Sequence, residues 1–494
     1  MMRSVCYLLF AALSSGLGLA CATTPSPSKT QAWTTEQARA EMDQAWNTQP
    51  AAILQRITPP SFPNTDYLIT DYGAQSGGNF DNVNAIREAI IACSLAGGGR
   101  VVIPAGEWFC AGPVHLRSRV NLHLAEGAIL RFSDQAEDYL PLVKVRWEGT
   151  VAWNYSPLIY AYQQTDIALT GKGEIDGNAQ VWSVEWRKKQ KPDKTVLRQM
   201  GNDQIPDDQR VFGNGFLDRD GDGQDDGFGD GKQHWLRPSL VEFYECDNVL
   251  IEGLTLRNSP FWTVHPVFCK SVTIRGLNVY GACLNDDGID PDSCEDVLIE
   301  NCYVETRDDA ISIKAGRDQD AWERDPCRNV IIRNCRLNSG VNAFCVGSEM
   351  SGGVENVFVE DCHILGGKHG LNFKCNLDRG GQVQHIYLRH ITMDTVREAM
   401  FIFRMDYHGY QGNNYPTRFN NFYATNISCK MVLEKPFKIV GVENEPIQRV
   451  YLGHIQIGQA GEDSELAHVQ NVLAEEVIIG GKRWSPTTRA SPVQ

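Results

Sequence analysis

Six segments of one design recur down the second half of the chain and restrict what it can fold into. They read NVLIEGLTLRNS from Asn248, SVTIRGLNVYG from Ser271, DVLIENCYVET from Asp296, NVIIRNCRLNS from Asn329, NVFVEDCHILGG from Asn356 and HIYLRHITMDT from His385. Successive starts lie 23, 25, 33, 27 and 29 residues apart. Each unit holds one strong strand pair that alternates apolar with polar side chains, and no helical stretch intervenes. A period of roughly 20 to 35 residues with that content predicts stacked β-coils, an all-β parallel β-helix. A propeller blade needs about 40 residues or more, and leucine-rich repeats carry more Leu around a fixed Asn.

The same rhythm begins upstream in VVIPAG, VNLHLAEGAILRF and DIALTGKGEIDG, and weaker repeats follow over 419–429, 450–457 and 472–480. A solenoid leaves terminal strands that invite pairing with other chains, so its end needs a cover. Residues 81–96 supply one: Ile86, Ile90 and Cys93 fall on one helical face, and Gly97-Gly98-Gly99 stops the helix. Helical character is also expected over 34–55. The reading is one β-helix domain over 61–484, a tether and helical segment over 23–60, and a disordered tail over 485–494.

Within the repeats, residues 283–316 concentrate carboxylates. Asp286-Asp287 and Asp308-Asp309 are adjacent pairs, each near an apolar strand run, and 21 residues separate Asp287 from Asp308, about one coil. Stacked coils bring equivalent positions to roughly 4.8 Å, so three carboxylates converge. Carboxylates that close cannot all ionise, so one is expected to hold its proton near neutral pH while another stays charged. Turn chemistry alone accounts for Asp290 and Asp292. It does not account for two Asp pairs one coil apart at the same strand edge.

A net charge of −15 argues against nucleic acid or an anionic membrane as partner, and against a uronate-rich polymer unless the groove is locally basic. The start reads as an export signal over 1–22: Met1-Met2-Arg3, then a largely apolar run to Ala20. Two processing outcomes compete there, cleavage at the small residues around Ala20-Cys21-Ala22 or lipid attachment at Cys21. No later run is long and apolar enough to span a bilayer. Cys302, Cys335 and Cys362 occupy matching places in IENCYVE, IRNCRLN and VEDCHIL, which predicts a stacked row of buried thiols. Disulfides among other cysteines stay open for an exported chain. In LDRDGDGQDDGFGDG, over 217–231, Asp218, Asp220, Asp222 and Asp225 have the alternation of a hard-cation loop. It lacks the bidentate Glu of a full calcium loop, so the expectation is a structural Ca2+ or a solvated acidic turn, with no cofactor needed for chemistry.

SLVEFYECDNVLIEGLTLRNSPFWTVHP, then NDDGIDPDSCEDVLIENCYVETRDDAISIKAG, then GSEMSGGV together resemble glycoside hydrolase family 28, the polygalacturonases, over roughly 67–480. The resemblance implies a right-handed parallel β-helix and inverting hydrolysis of pectic α-linkages by three aspartates. Asn285-Asp286-Asp287 matches the family's NTD motif and Asp308-Asp309 its paired Asp. By that match Asp308 is the general acid, while Asp287 and Asp309 activate water.

Two departures stand out. The family's catalytic-site His falls on Asn342, and its RIK motif, whose Arg and Lys meet a galacturonate carboxylate, falls on Asn372-Phe373-Lys374. Asn cannot make the forked charged pair of an Arg, which points to an altered sugar, a rhamnogalacturonan-type or neutral or anhydro galactoside. His369 is a candidate replacement imidazole from a neighbouring turn. Trp262 and His265, one coil before Asp287, are candidates for sugar contact, as are Asn285, Asp286, Asn372 and Lys374. Loops over 142–155, 182–236 and 405–418 are expected to wall one end of a groove, favouring release from chain ends. In an inverting enzyme the acid and base stand roughly 6.5–9.5 Å apart. Two alternatives remain at this point: a β-elimination lyase, which needs a basic Arg or Lys as proton acceptor, and a non-catalytic glycan-binding β-helix.

Overall fold

A computed structural model describes residues 33–220 and 224–487 of the chain. The export segment, Cys21, Asp222 and the last part of the tail, 488–494, lie outside the described residues.

Val249, Val272, Val297, Val330, Val357 and Ile386 stack one above another in parallel register, so the spacings of the six segments are the lengths of successive coils. The first residue of each segment, from Asn248 to His385, has φ between 52° and 58°. That left-handed corner explains the recurrent Asn and Asp, which tolerate it best after Gly. It also builds a polar ladder, in which Asn329 donates to Asp296 at 3.0 Å and Asn356 to Asn329 at 3.3 Å. The strands form a right-handed parallel β-helix whose interior is a continuous column of Val, Ile, Leu and Phe.

Helix α1, Thr35–Arg56, starts from a reciprocal cap between Thr34 and Gln37 and lies along the outside of the solenoid. It buries Ala38, Met42, Trp46 and Ile53 against Leu298, Ile331 and an aromatic stack of Phe358, Tyr387 and Tyr423, whose centroids are 4.7 and 5.1 Å apart. Helix α2, Val83–Leu95, covers the N-terminal coil with Ile86, Ile90 and Cys93 fully buried, as the spacing predicted.

All thirteen described cysteines are free and buried, which corrects the allowance for disulfides. Parallel stacking instead places them as thiol rungs. Cys335 meets Cys302 and Cys362, and in a second row Cys269 meets Cys246 and Cys294. Among the described residues no helix is long and apolar enough to cross a membrane.

The three expected wall segments interlock. Residues 142–155 form an antiparallel hairpin, Leu142–Trp147 against Thr150–Tyr155. Helix α3, Lys191–Asn202, sends Arg198 to Asp318 at 3.0 Å, to Asp378 at 2.8 Å and to the Gly409 carbonyl. Arg210 reaches Asp320 at 2.6 Å. These pairs tie the 182–236 and 405–418 segments to the coils between them.

Candidate active site

Five strands carry the site: β1 Ile311–Ile313, β2 Asn342–Val346, β3 His363–Lys374, β4 Gln382–Arg404 and β5 Lys435–Val440. Their inward residues, such as Ile311, Phe344, Leu371 and Phe401, fill the core, so alternation turns the residues between them outward onto one face. Asp309 stands two residues before β1. Asp287 sits one coil earlier, where its carbonyl accepts from Thr263 and the following Gly288 amide donates to the Asp309 carbonyl.

One carboxylate oxygen from each of Asp287, Asp308 and Asp309 lies within 4.8 Å of the others. The expected 6.5–9.5 Å separation is therefore not what the nearest oxygens show. Asp308 and Asp309 share one turn and Asp287 is a single rung away, so strand spacing sets the distance.

The three carboxyls have different surroundings. Asp308 alone is half-exposed; it accepts from the Asn285 amide at 3.0 Å and the Asp309 amide at 3.1 Å. Burial, then the charge of Asp309, raises its pKa. Asp309 is enclosed by Lys374 at 2.6 Å, the Cys345 thiol at 3.1 Å and the Asn342 amide at 2.5 Å. Burial pushes its pKa up, but the ammonium groups of Lys374 and Lys314 outweigh that and hold it below the ordinary Asp range. Asp287 is 3.1 Å from Lys314, yet burial and the neighbouring carboxylates Asp290, Asp308 and Asp309 push its pKa well up. The divergence expected from the sequence is present, with Asp309 as the ionised member.

The predicted sugar contacts are largely framework. His265 is fully buried between Glu242 and Asp292; burial favours the neutral ring, but those two acids lift its pKa to about 9. Trp262, 3% exposed, stacks on Phe261 and lies under the Lys314 ammonium at 4.0 Å. Asp286 accepts from the backbone amides of Cys283, Arg307 and Asp308, each at 2.9 Å, and so fixes the turn; burial pushes its pKa up to about 6. Asn372 donates to Asn342 at 2.7 Å and is 1% exposed. The reason is common to all four: coil stacking covers each rung with the next, and the wall segments cover what remains.

His369 donates from Nδ1 to Asn342 Oδ1 at 2.8 Å, which assigns the proton to that nitrogen. It touches Asp309 only through Asn342, and burial lowers its pKa to about 4, leaving a neutral ring. Asn285 is placed as expected at the rim, its φ of 64° aiming the amide at Asp308 and its side chain accepting from Arg237 at 2.9 Å.

Sequence reasoning missed Lys314, Arg237 and Cys345. Lys314 was findable, because ISIK puts a cation at an outward strand position five residues after Asp309. Arg237 directly follows the 182–236 insertion, whose path no period describes.

In the acidic loop, Asp218, Asp220 and Asp226 bring oxygens within 4.8 Å of one another. Asp225 accepts from the Gly227 amide at 2.8 Å, and Asp226 stands in the group where the sequence reading had Asp225, while Asp222 lies outside the described residues. A cavity of about 890 Å³ lies near α2 and the 142–155 hairpin and is lined by none of the three aspartates. The three aspartates lie elsewhere, together on the outer face, and their surroundings push Asp309 down and Asp287 and Asp308 up.

A parallel β-helix with three convergent carboxylates on its outer face defines a carbohydrate-cleaving solenoid enzyme. The model of glycosyl hydrolases family 28 matches residues 189–477, more than half of the chain. The chain is 32% identical to the crystal structure of a hyperthermoactive exopolygalacturonase from Thermotoga maritima, with a TM-score of 0.81 over 89% of this chain and 97% of that one. It is 28% identical over 416 residues to a probable polygalacturonase of Vitis vinifera, covering 80% of this chain and 74% of the relative. An exo-poly-alpha-D-galacturonosidase of Dickeya chrysanthemi is 28% identical over 73% of this chain, which spans 62% of that relative's length. The chain belongs to glycosyl hydrolase family 28 and is a glycoside hydrolase.

Proposed function

We propose that the protein hydrolyses α-linked, pectin-type galacturonan from chain ends. The observation that carries this is the split among three adjacent carboxyls: a half-exposed Asp308, whose pKa burial and the charge of Asp309 raise, beside a buried Asp309, whose pKa Lys374 and Lys314 hold down. Asp308 protonates the glycosidic oxygen as the bond to the anomeric carbon breaks. Asp309, with Asp287 as a proton-sharing partner, takes a proton from the water that attacks that carbon. Attack from the face opposite the leaving oxygen inverts the anomeric centre. The interlocked walls support action at an end. The names of the relatives from Thermotoga maritima and Dickeya chrysanthemi support galacturonan over the altered sugar read from Asn342 and Asn372. Elimination needs a neutral amine or guanidine as base, whereas Lys314 and Lys374 have pKa values raised well above the ordinary lysine value despite their burial.

The test is product analysis on polygalacturonate and on neutral galactans. Monomer or dimer of galacturonate should appear with reducing ends and no conjugated double bond, in the inverted anomer by NMR, and Asp308→Asn should abolish it. Release from neutral galactans alone would overturn the substrate, and unchanged release by Asp308→Asn would overturn the mechanism.

Two readings from the sequence belong here as proposals. Export through residues 1–22, with release or lipid attachment at Cys21, is checked by fractionation of wild type and Cys21→Ala. A structural Ca2+ on Asp218, Asp220 and Asp226 is supported by their all-carboxylate donor set, which suits a hard cation. A thermal midpoint unmoved by chelator would remove it.

A further inference from the structure

The outward columns of the site strands change character along the solenoid. Asn342 is followed in register by His369, Ala399 and Lys435. Cys345 is followed by Asn372, Ile402 and Lys438, and Lys374 by Arg404. The sequence of properties is acidic at the aspartates, neutral for one or two rungs, then cationic. At about 4.8 Å per rung, Lys438 lies roughly 10 Å beyond Asn372 on the same face.

These cations line a cavity. Lys368, Arg404, Lys435 and Lys438 surround about 270 Å³ together with the neutral His369 ring and the acids Glu398 and Glu434. Lys368 is neutralised by Glu398 at 3.0 Å, and Lys435 by Glu462. Among the described residues the ion pair of Arg404 is with Asp406, at 3.1 Å, and that acid is 74% exposed. Lys438 is half-buried and has no carboxylate within ion-pairing distance among the described residues. A half-buried, unpaired ammonium loses hydration without compensation, a cost that an anionic ligand would offset. Arg404 and Lys438 also line a second cavity of about 430 Å³ with Tyr407 and Tyr410. There the Tyr407 ring lies 5.3 Å from Lys374 and 5.5 Å from Arg404, a flat apolar surface beside the charges.

We propose that Arg404 and Lys438 form a carboxylate-binding ledge for a uronate residue of the substrate, on the C-terminal side of the site, one and two rungs beyond Asn372 and so three and four rungs beyond the Ile311 strand that follows the catalytic aspartates. The ledge takes over the recognition that Asn372 cannot provide. Its Arg arrives from the next coil and supplies the fork a carboxylate needs, while Lys438 supplies a point charge. The inference rests on the galacturonan reading above and names the residues that select the acid over the neutral sugar.

The experiment compares wild type, Lys438→Gln and Arg404→Gln on trigalacturonate and on its carboxyl-reduced counterpart, with thermal midpoints to establish folding. Each variant should raise KM for trigalacturonate about tenfold, the scale of one charge-assisted hydrogen bond, with kcat within about twofold. The carboxyl-reduced trimer should show no such change. Equal KM shifts on both trimers, or none on either, would overturn the ledge.

Calorimetric binding of trigalacturonate to Asp308→Asn, with and without Lys438→Gln, separates the two readings. Binding that depends on Lys438 in a protein whose wild type releases no galacturonate keeps the ledge and removes the hydrolytic reading. Galacturonate release with binding indifferent to Lys438 removes the ledge alone.

Discussion

Asp309 owes its low pKa first to Lys374 and then to Lys314, and in the proposed mechanism, with Asp309 as base and Asp308 as acid, the Lys374 contact weighs most on the acid side of the pH profile. The base must be charged, so activity is retained as pH falls until Asp309 protonates, below the ordinary Asp value. The acid must be protonated, so activity declines as pH rises through the raised pKa of Asp308. Lys374→Met removes an opposite charge at contact distance, which is worth roughly 1–3 pKa units. The acid limb of kcat/KM should move up by that amount, and the alkaline limb less, because Lys374 is in contact with Asp309 and acts on Asp308 only across it. An acid limb that stays in place would mean that another group is the base. The same shifts bear on stability with opposite signs. Asp309, lowered in the fold, stabilises it above the ordinary Asp range, and that contribution is lost as pH falls through its folded pKa. Asp287 and Asp308, raised, favour the fold at low pH and lose that contribution as pH rises.

The coil corners show what was legible and why. Asn329 holds φ at 58° and donates to Asp296, one rung of the polar ladder. Asn329→Ala should therefore cost about 1–2 kcal/mol by left-handed strain, with Asn329→Gly costing less, read from denaturation midpoints. Equal losses for Ala and Gly would shift the cause from backbone to ladder. Corner chemistry and period-2 alternation repeat in the sequence, so the six coils, their lengths, the α2 cover and the Cys302–Cys335–Cys362 row could be read directly. The three aspartates could be read as well, because they occupy equivalent places in that period. The environment of each could not. His265 and Trp262 have the spacing of surface groups, but the 142–155 and 182–236 insertions bury them, and insertions follow no period. Lys438 sits in a coil whose repeat is weak, Arg404 lies past the last residue of the sixth segment, and their place relative to the aspartates is a matter of register three and four rungs long.

Across the whole molecule, a charge of −15 and a cationic ledge act on an anionic substrate at different ranges. Repulsion by the body works over distances set by the Debye length, about 30 Å at 0.01 M salt and about 8 Å at 0.15 M. The ledge pairs form at contact, where salt screens them less, and they weaken only as the Debye length nears about 3 Å at 1 M. Raising salt from the low end should first speed encounter by removing the long-range repulsion, and then weaken binding. kcat/KM for oligogalacturonates is thus expected to pass through a maximum at intermediate ionic strength. Carboxyl-reduced oligomers carry no charge and should give a flat line. Lys438→Gln should retain the rise, which belongs to the body, and flatten the fall, which belongs to the ledge. A monotonic decline in wild type would show that local attraction dominates at every range, and a monotonic rise would leave the ledge without a part in binding.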